Sequence, residues 1–244
     1  MKISESVYAI GGGDLGYKIS NAFDCNIYLV DGGGEYVVID AGSGMDSNAI
    51  VAWIQHDGIA IEQIKALILT HAHADHAGGA SKLRHDLSVP VLAGSLTADI
   101  VASGDEARIS LPEARRNGIY PAWYRFKACP IDRTLCIGET IAIGNLTLQV
   151  IAVPGHSADM IALYCPELGA LFAGDTVFSG GMLALQSSPD FSLSEYRRTI
   201  ASLSSMNLKQ LFSGHGTAIL EHANEHIMLA HRRFEAGEPP ESIV

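Results

Sequence analysis

Residues 71–76 read His-Ala-His-Ala-Asp-His, three imidazoles and one carboxylate within six positions, directly after the apolar run Ala66-Leu67-Ile68-Leu69. Neutral imidazole and carboxylate oxygen are the ligands that borderline cations such as Zn²⁺ accept. The run therefore commits this part of the chain to metal-site chemistry. In an extended segment alternate side chains share a face, so His71 and His73 can reach one ion together. A turn after them frees Asp75 and His76 to face a second ion. Neither ion is complete with these four residues.

Three short segments supply what is missing: Pro-Gly-His-Ser at 154–157, Ala-Gly-Asp-Thr at 173–176 and Ser-Gly-His-Gly at 213–216. Each sets a His or an Asp beside glycine at the end of an apolar run, where the backbone can turn sharply and approach an ion. One ion is then expected to take His71, His73 and His156, and the other Asp75, His76 and His215. Asp175 is expected to bridge them with one oxygen to each.

With those residues in order the chain resembles a metallo-β-lactamase-superfamily hydrolase. The resemblance rests on H-x-H-x-D-H, a His 80 positions after His76, an Asp 19 later and a His 40 later again. It spans about residues 40 to 216. It implies an α/β fold of the αβ/βα four-layer sandwich type, with 1–244 forming a single domain and the metals at one edge between the sheets. It also implies two divalent ions, zinc first and iron or manganese as alternatives. The expected activity is a dinuclear hydrolase that uses a bridging hydroxide to cleave a small ester, thioester or lactone. Asp75 would orient the hydroxide and pass its proton to the leaving group.

Departures from each subgroup narrow this reading. Antibiotic-degrading lactamases carry Cys or Ser where this chain has Asp175, so β-lactam hydrolysis ranks low. Glyoxalase II enzymes share all seven ligands but carry a helical carboxy-terminal extension that helps bind glutathione, and only 29 residues follow His215. Homoserine-lactone hydrolases place a Tyr where Phe178 stands, which leaves Tyr120 or Tyr124 as an alternative donor. A mononuclear iron persulfide dioxygenase is the competing reaction class, and a non-catalytic metal-binding module is the competing non-enzyme.

Composition sets the limits on partners. Sixteen Lys and Arg face 27 Asp and Glu, a net charge of −11. That leaves no surplus of cations to neutralise phosphates, so a nucleic-acid partner is not expected and a small-molecule substrate is. No apolar run approaches the roughly 20 residues of a membrane span, and the amino terminus lacks a basic region followed by an apolar stretch. The expectation is a cytoplasmic protein without a membrane partner. Cys25, Cys129, Cys136 and Cys165 show no C-x-x-C spacing, which predicts free thiols. Oligomeric state is not legible.

Periodicity predicts strands at 7–10, 26–30 and 36–39 as an antiparallel start, and a helix over 46–56. After the histidine run it predicts a helix over 79–86 and a strand over 89–93. The second half reads as strands at 146–153, 160–165 and 170–172, a helix over 193–203, a strand at 210–212 and a last helix over 219–235. Residues 95–133 break the alternation. They are expected to form a substrate cap, with Trp123, Tyr124 and Phe126 walling an apolar pocket. The glycine-rich run 11–16 is expected to form a mobile hairpin or loop over the active site. His222 and His226 read as surface residues, and Asp40 as a turn carboxylate or as a support for a metal-binding His.

Overall fold

The computed structural model describes residues 1–243. The chain opens with strands β1 (Val7–Gly11), β2 (Ile27–Asp31) and β3 (Tyr36–Ile39), then helix α1 (Ser47–His56) and strand β4 (Ile64–Leu69). Helices α2 (Ala74–Ala77) and α3 (Ala80–Leu87) lead to β5 (Val91–Gly94), α4 (Ser95–Ser103), α5 (Leu111–Arg116) and β6 (Arg133–Leu135). The second half contains β7 (Thr140–Ile143), β8 (Leu146–Ala152), β9 (Ile161–Cys165) and β10 (Ala170–Gly174). Helix α6 (Leu193–Ser204), β11 (Gln210–Ser213) and α7 (Ala223–Glu235) complete it.

The strands make two mixed sheets, one in the order β1-β2-β3-β4-β5-β6 and the other β11-β10-β9-β8-β7. β1, β2 and β3 pair antiparallel, as expected, and β3 to β6 pair parallel. In the second sheet only β10 and β11 run parallel. The first sheet is built wholly from residues before 136 and the second wholly from residues after 139. The chain therefore passes from one sheet to the other once, through an exposed turn at 136–139.

Alternation within the strands sets the layers, because successive side chains leave a strand on opposite faces. In β4, Ala66 and Ile68 face the second sheet while Leu67 and Leu69 face outward to the helices. The inner core joins Tyr28, Val30, Val37 and Ile39 of the first sheet to Leu148, Val150, Leu163 and Phe172 of the second. Phe172 and Phe212 stack at 4.8 Å with Tyr28 edge-on to both, so aromatic contact ties the sheets together near the site. α1, α3 and α4 cover the outer face of the first sheet, and α6 and α7 that of the second. The result is the four-layer α/β sandwich expected from the sequence.

Some elements differ from expectation. The last helix begins at Ala223 rather than 219, because Ile219 exchanges backbone hydrogen bonds with Leu211 instead. β6 and β7 are only three and four residues long and are not among the expected strands; β6 exposes Arg133 and Thr134, whereas β7 buries Ile141 and Ile143 and exposes Thr140 and Ala142. The expected cap holds α4 and α5, and its long return, residues 117–132, lies on the first sheet.

Candidate metal centre and active-site cleft

The seven expected residues converge at one edge of the sandwich, carried by loops that leave β4, β8, β10 and β11. His71, His73 and His156 form one group and Asp75, His76, Asp175 and His215 a second; within each, the ligand-type atoms lie within 4.8 Å of one another. The turn foreseen after His73 is the short helix α2, which swings Asp75 and His76 away from the first group. The Asp175 carboxylate stands between the groups. Its Oδ1 lies 3.3 Å from His76 Nε2, and its Oδ2 lies 3.4 Å from His215 Nε2 and 3.6 Å from His156 Nε2.

Four of the five histidines are aimed by a hydrogen bond from the far side of the ring, while the Nδ1 of the fifth, His215, is buried without a partner. Asp40, 2% exposed and held at φ +64° just after β3, accepts from His76 Nδ1 at 2.8 Å and from the Thr70 backbone N–H at 2.8 Å. The Thr70 hydroxyl donates to the same carboxylate and lies 3.0 Å from His71 Nδ1, so one aspartate sets two ligand histidines. Of the two readings of Asp40, its bond to His76 favours support of a histidine in the candidate site. His156 Nδ1 donates to the Ala184 carbonyl, and His73 Nε2 donates to Asp190 at 3.0 Å. Asp159 accepts from the Ala72 N–H and from Ser157, tying the two histidine loops together.

With those protons placed, His73 Nδ1 and His156 Nε2 face one another 2.9 Å apart, both left with lone pairs. His71 Nε2, His76 Nε2 and Asp175 Oδ1 are buried with no hydrogen-bond partner. Buried polar atoms are rarely left so, and a cluster of them aimed at common points is the donor set of a cation. The residues present fit divalent ions in both groups.

The electrostatics divide the cluster, holding His71 and His156 low and raising His73, His76 and His215. Burial, reinforced by neighbouring imidazoles, holds His71 well below the ordinary histidine range and brings His156 down to about 4, which keeps both neutral. Burial alone would raise the Asp75 carboxyl, but the charges of His76 and His215 pull it down to about 2. Burial likewise works against charge on His215, yet Asp175 and Asp75 raise it to about 9. Burial also opposes charge on His73 and Asp190, and their mutual bond overcomes it, raising the histidine and lowering the aspartate.

The cleft above these residues has a volume of roughly 410 Å³. Segments 12–24, 109–120 and 184–188 form its walls around His73, Asp75, His156, Asp175 and His215. The glycine-rich run reaches over the site as expected, through Leu15. Backbone bonds such as Gly13 N to Asp24 O and Gly216 N to Leu15 O fix it in place. From 95–133 the large apolar residues at the cleft are Ile109, Leu111, Ile119 and Tyr120 rather than the expected aromatic trio. Trp123 is 69% exposed, and Tyr124 and Phe126 are packed into the outer core of the first sheet. The Tyr124 hydroxyl donates to the Ser43 carbonyl at 2.7 Å and is unavailable to a ligand.

Glycine is required at one point here. A Cβ on Gly214 would collide with Asp175 Oδ1 and come within 2.6 Å of His76 Cε1. His222 and His226 share no site: His222 lies exposed before α7, and His226 Nδ1 accepts from the Gly180 N–H. Sequence reasoning missed Thr70, Asp159 and Asp190. Thr70 is legible only once Asp40 is known to face it, and Asp190 lies 117 positions from the histidine it holds.

Residues 20–215 match the family model described as the metallo-beta-lactamase superfamily. The chain belongs to that superfamily. Among curated relatives it is 33% identical to an acyl-coenzyme A thioesterase of Gallus gallus over 65% of this chain and 59% of that one. It is 30% identical to a hydroxyacylglutathione hydrolase of Idiomarina loihiensis over 59% of this chain and 43% of that one. The chain spans about two fifths to two thirds of the length of the curated relatives it matches. Among solved structures, the BLEG-1 B3 metallo-beta-lactamase superposes with a TM-score of 0.71 at 21% identity, covering 93% of this chain and 96% of that one. At that identity the likeness speaks for the fold.

Proposed function

We propose that this superfamily member is a dinuclear metal-dependent hydrolase of a small ester, thioester or lactone. The observation that carries the proposal is the convergence of two His/Asp groups whose inward atoms lack any other partner, beneath an open cleft. Relatives named as thioesterases and hydroxyacylglutathione hydrolases support a thioester among the possible bonds. His71, His73 and His156 would hold one ion, and Asp75, His76 and His215 the other, with Asp175 shared. Zinc suits this nitrogen- and oxygen-rich set, and iron or manganese can occupy it.

Bound there, the ions supply Lewis acidity toward a carbonyl oxygen and make water more acidic. The chain's own residues do the rest. Asp75 is ionised at neutral pH and reaches the cleft, so its carboxylate can accept a proton from water and deliver it to the departing oxygen or sulfur. Burial and the Asp75 charge keep the Tyr120 hydroxyl protonated, making it the donor nearest to hand for the substrate carbonyl or leaving group. Phe178 is fully buried and takes no part in the lining.

Elemental analysis of protein purified without added metal, paired with a thioester, ester and lactone panel, tests the reading. Two zinc ions per chain with turnover is the expected result. A single iron with oxygen consumption on a persulfide would overturn it and withdraw the roles of Asp75, His76 and His215.

A further inference from the structure

Resting on the hydrolase reading above, we infer that the cleft selects acyl substrates whose departing part bears no negative charge, and that it recognises the acyl chain by apolar contact. The two sides of the cleft differ in chemistry. Leu15, Phe23, Ile109, Leu111, Ile119 and Tyr120 make an apolar wall from the first half of the chain. Leu15 and Ile119 are 51% and 60% exposed, an unusual use of large apolar side chains that places them at the mouth, where a ligand would cover them. The facing segment offers Gln186, Ser187 and Ser188, which are polar and uncharged.

Among the described residues, no lysine or arginine lines the cleft. Its charged walls are acidic. Asp75 and Asp175 belong to the metal groups, and Asp24 is occupied by the Ser43 N–H and hydroxyl and by Ser20. Glu113 remains, exposed on α5 with no ion-pair partner among the described residues. On the same helix Arg115 is held by Glu106 and the Tyr124 carbonyl, and exposed Arg116 lies outside the cleft lining. Carboxylates and phosphates of a leaving group are ordinarily received by Arg or Lys. Here the glutathionyl carboxylates or coenzyme A phosphates would meet Glu113 and a chain of net charge −11 instead. A neutral thiol or alcohol meets no such penalty. Hydrolysis adds water across the acyl C–S or C–O bond, the hydroxyl ending on the acyl carbon and the proton on the departing sulfur or oxygen, so no further reactant is needed.

The test compares octanoyl thioesters of N-acetylcysteamine, glutathione and coenzyme A on the zinc-loaded protein, with a butanoyl-to-decanoyl series of the neutral thiol. The neutral thioester is expected to lead in kcat/KM by about tenfold or more, with the gap widening at low ionic strength. Each added methylene should raise kcat/KM up to about fourfold until the apolar wall is covered. Glu113→Lys should narrow the gap by about fivefold, and Ile119→Ser should flatten the chain-length series. A second readout is calorimetric binding of two unreactive thioethers, S-octyl-N-acetylcysteamine and S-octylglutathione, the first expected to bind more tightly. Equal or better use of the anionic thioesters, or a flat chain-length series, overturns the inference and leaves the hydrolase reading standing. If no compound turns over with zinc bound, the hydrolase reading falls, and the thioether pair still decides the charge preference.

Discussion

Asp40 shows how much of the site depends on one carboxylate. It accepts from His76, the Thr70 N–H and the Thr70 hydroxyl at once, so an amide cannot replace it. In Asp40→Asn the oxygen can keep the Thr70 N–H, but the NH₂ then faces His76 Nδ1 and drives the histidine proton to Nε2, the atom aimed at the second group. Metal affinity there should fall about 10- to 100-fold with the fold intact, as read by metal titration beside circular dichroism. Undiminished affinity would remove Asp40 from the site. Gly214→Ala is expected to push Asp175 and His76 apart, costing about 1–3 kcal/mol of stability and lowering metal content, measured by thermal unfolding and elemental analysis. The seven inward residues were legible in sequence because glycine and strand ends mark them locally. Their supports were not, since Asp190 and Asp159 act on histidine loops far away in the chain and no local signal marks them.

At the scale of elements, the apolar wall of the cleft is held by one ion pair as well as by core contacts. Glu106 accepts from Arg115 and from the Phe126 N–H, which joins α5 to the return segment that packs on the first sheet. Its carboxyl is held below the ordinary range, with Arg115 the main cause. A depressed folded value means that the contribution is present above the unfolded carboxyl value of about 4.3 and is lost as pH falls through the folded one. The pair is half-buried and pins one local segment, so local opening is the better measure of its loss. Hydrogen exchange over 105–126 should therefore rise as pH drops below about 4, after correction for the intrinsic rate, and Glu106→Gln should show that rise already at neutral pH. Unchanged protection in the variant would show that the core contacts of Leu111, Tyr124 and Phe126 suffice. The aromatic cluster in this segment misled sequence reasoning for a physical reason. Tyr124 and Phe126 satisfy the outer core, and the cleft takes the less conspicuous Ile109, Leu111 and Ile119 instead. Long periodic elements such as α1 and α6 were legible to within a residue or so. The strands β6 and β7 were not, because three and four residues are too few for a periodic pattern to stand out.

At the scale of the whole molecule, the layered architecture followed from period-two burial in strands such as β4 and from the resemblance, whereas the meeting of the two sheets at the site needed coordinates. The single passage at 136–139 gives that meeting a particular meaning. Everything before it builds one sheet and carries His71, His73, Asp75 and His76; everything after it builds the other and carries His156, Asp175 and His215. Severed at exposed Gly138, the chain would yield two polypeptides with a complete sheet apiece, each holding part of both residue groups. Co-expressed, such halves should copurify with metal present and come apart more readily in a chelator, since a ligand that binds only the joined form adds about 2.7 kcal/mol at a hundred times its dissociation constant. Halves that stay together equally well in both conditions would show the inner core alone to be sufficient. In that sense the ions would act as a rivet: chemistry at this edge and the cohesion of the two half-molecules would draw on the same bonds, and a cell short of metal would lose both together.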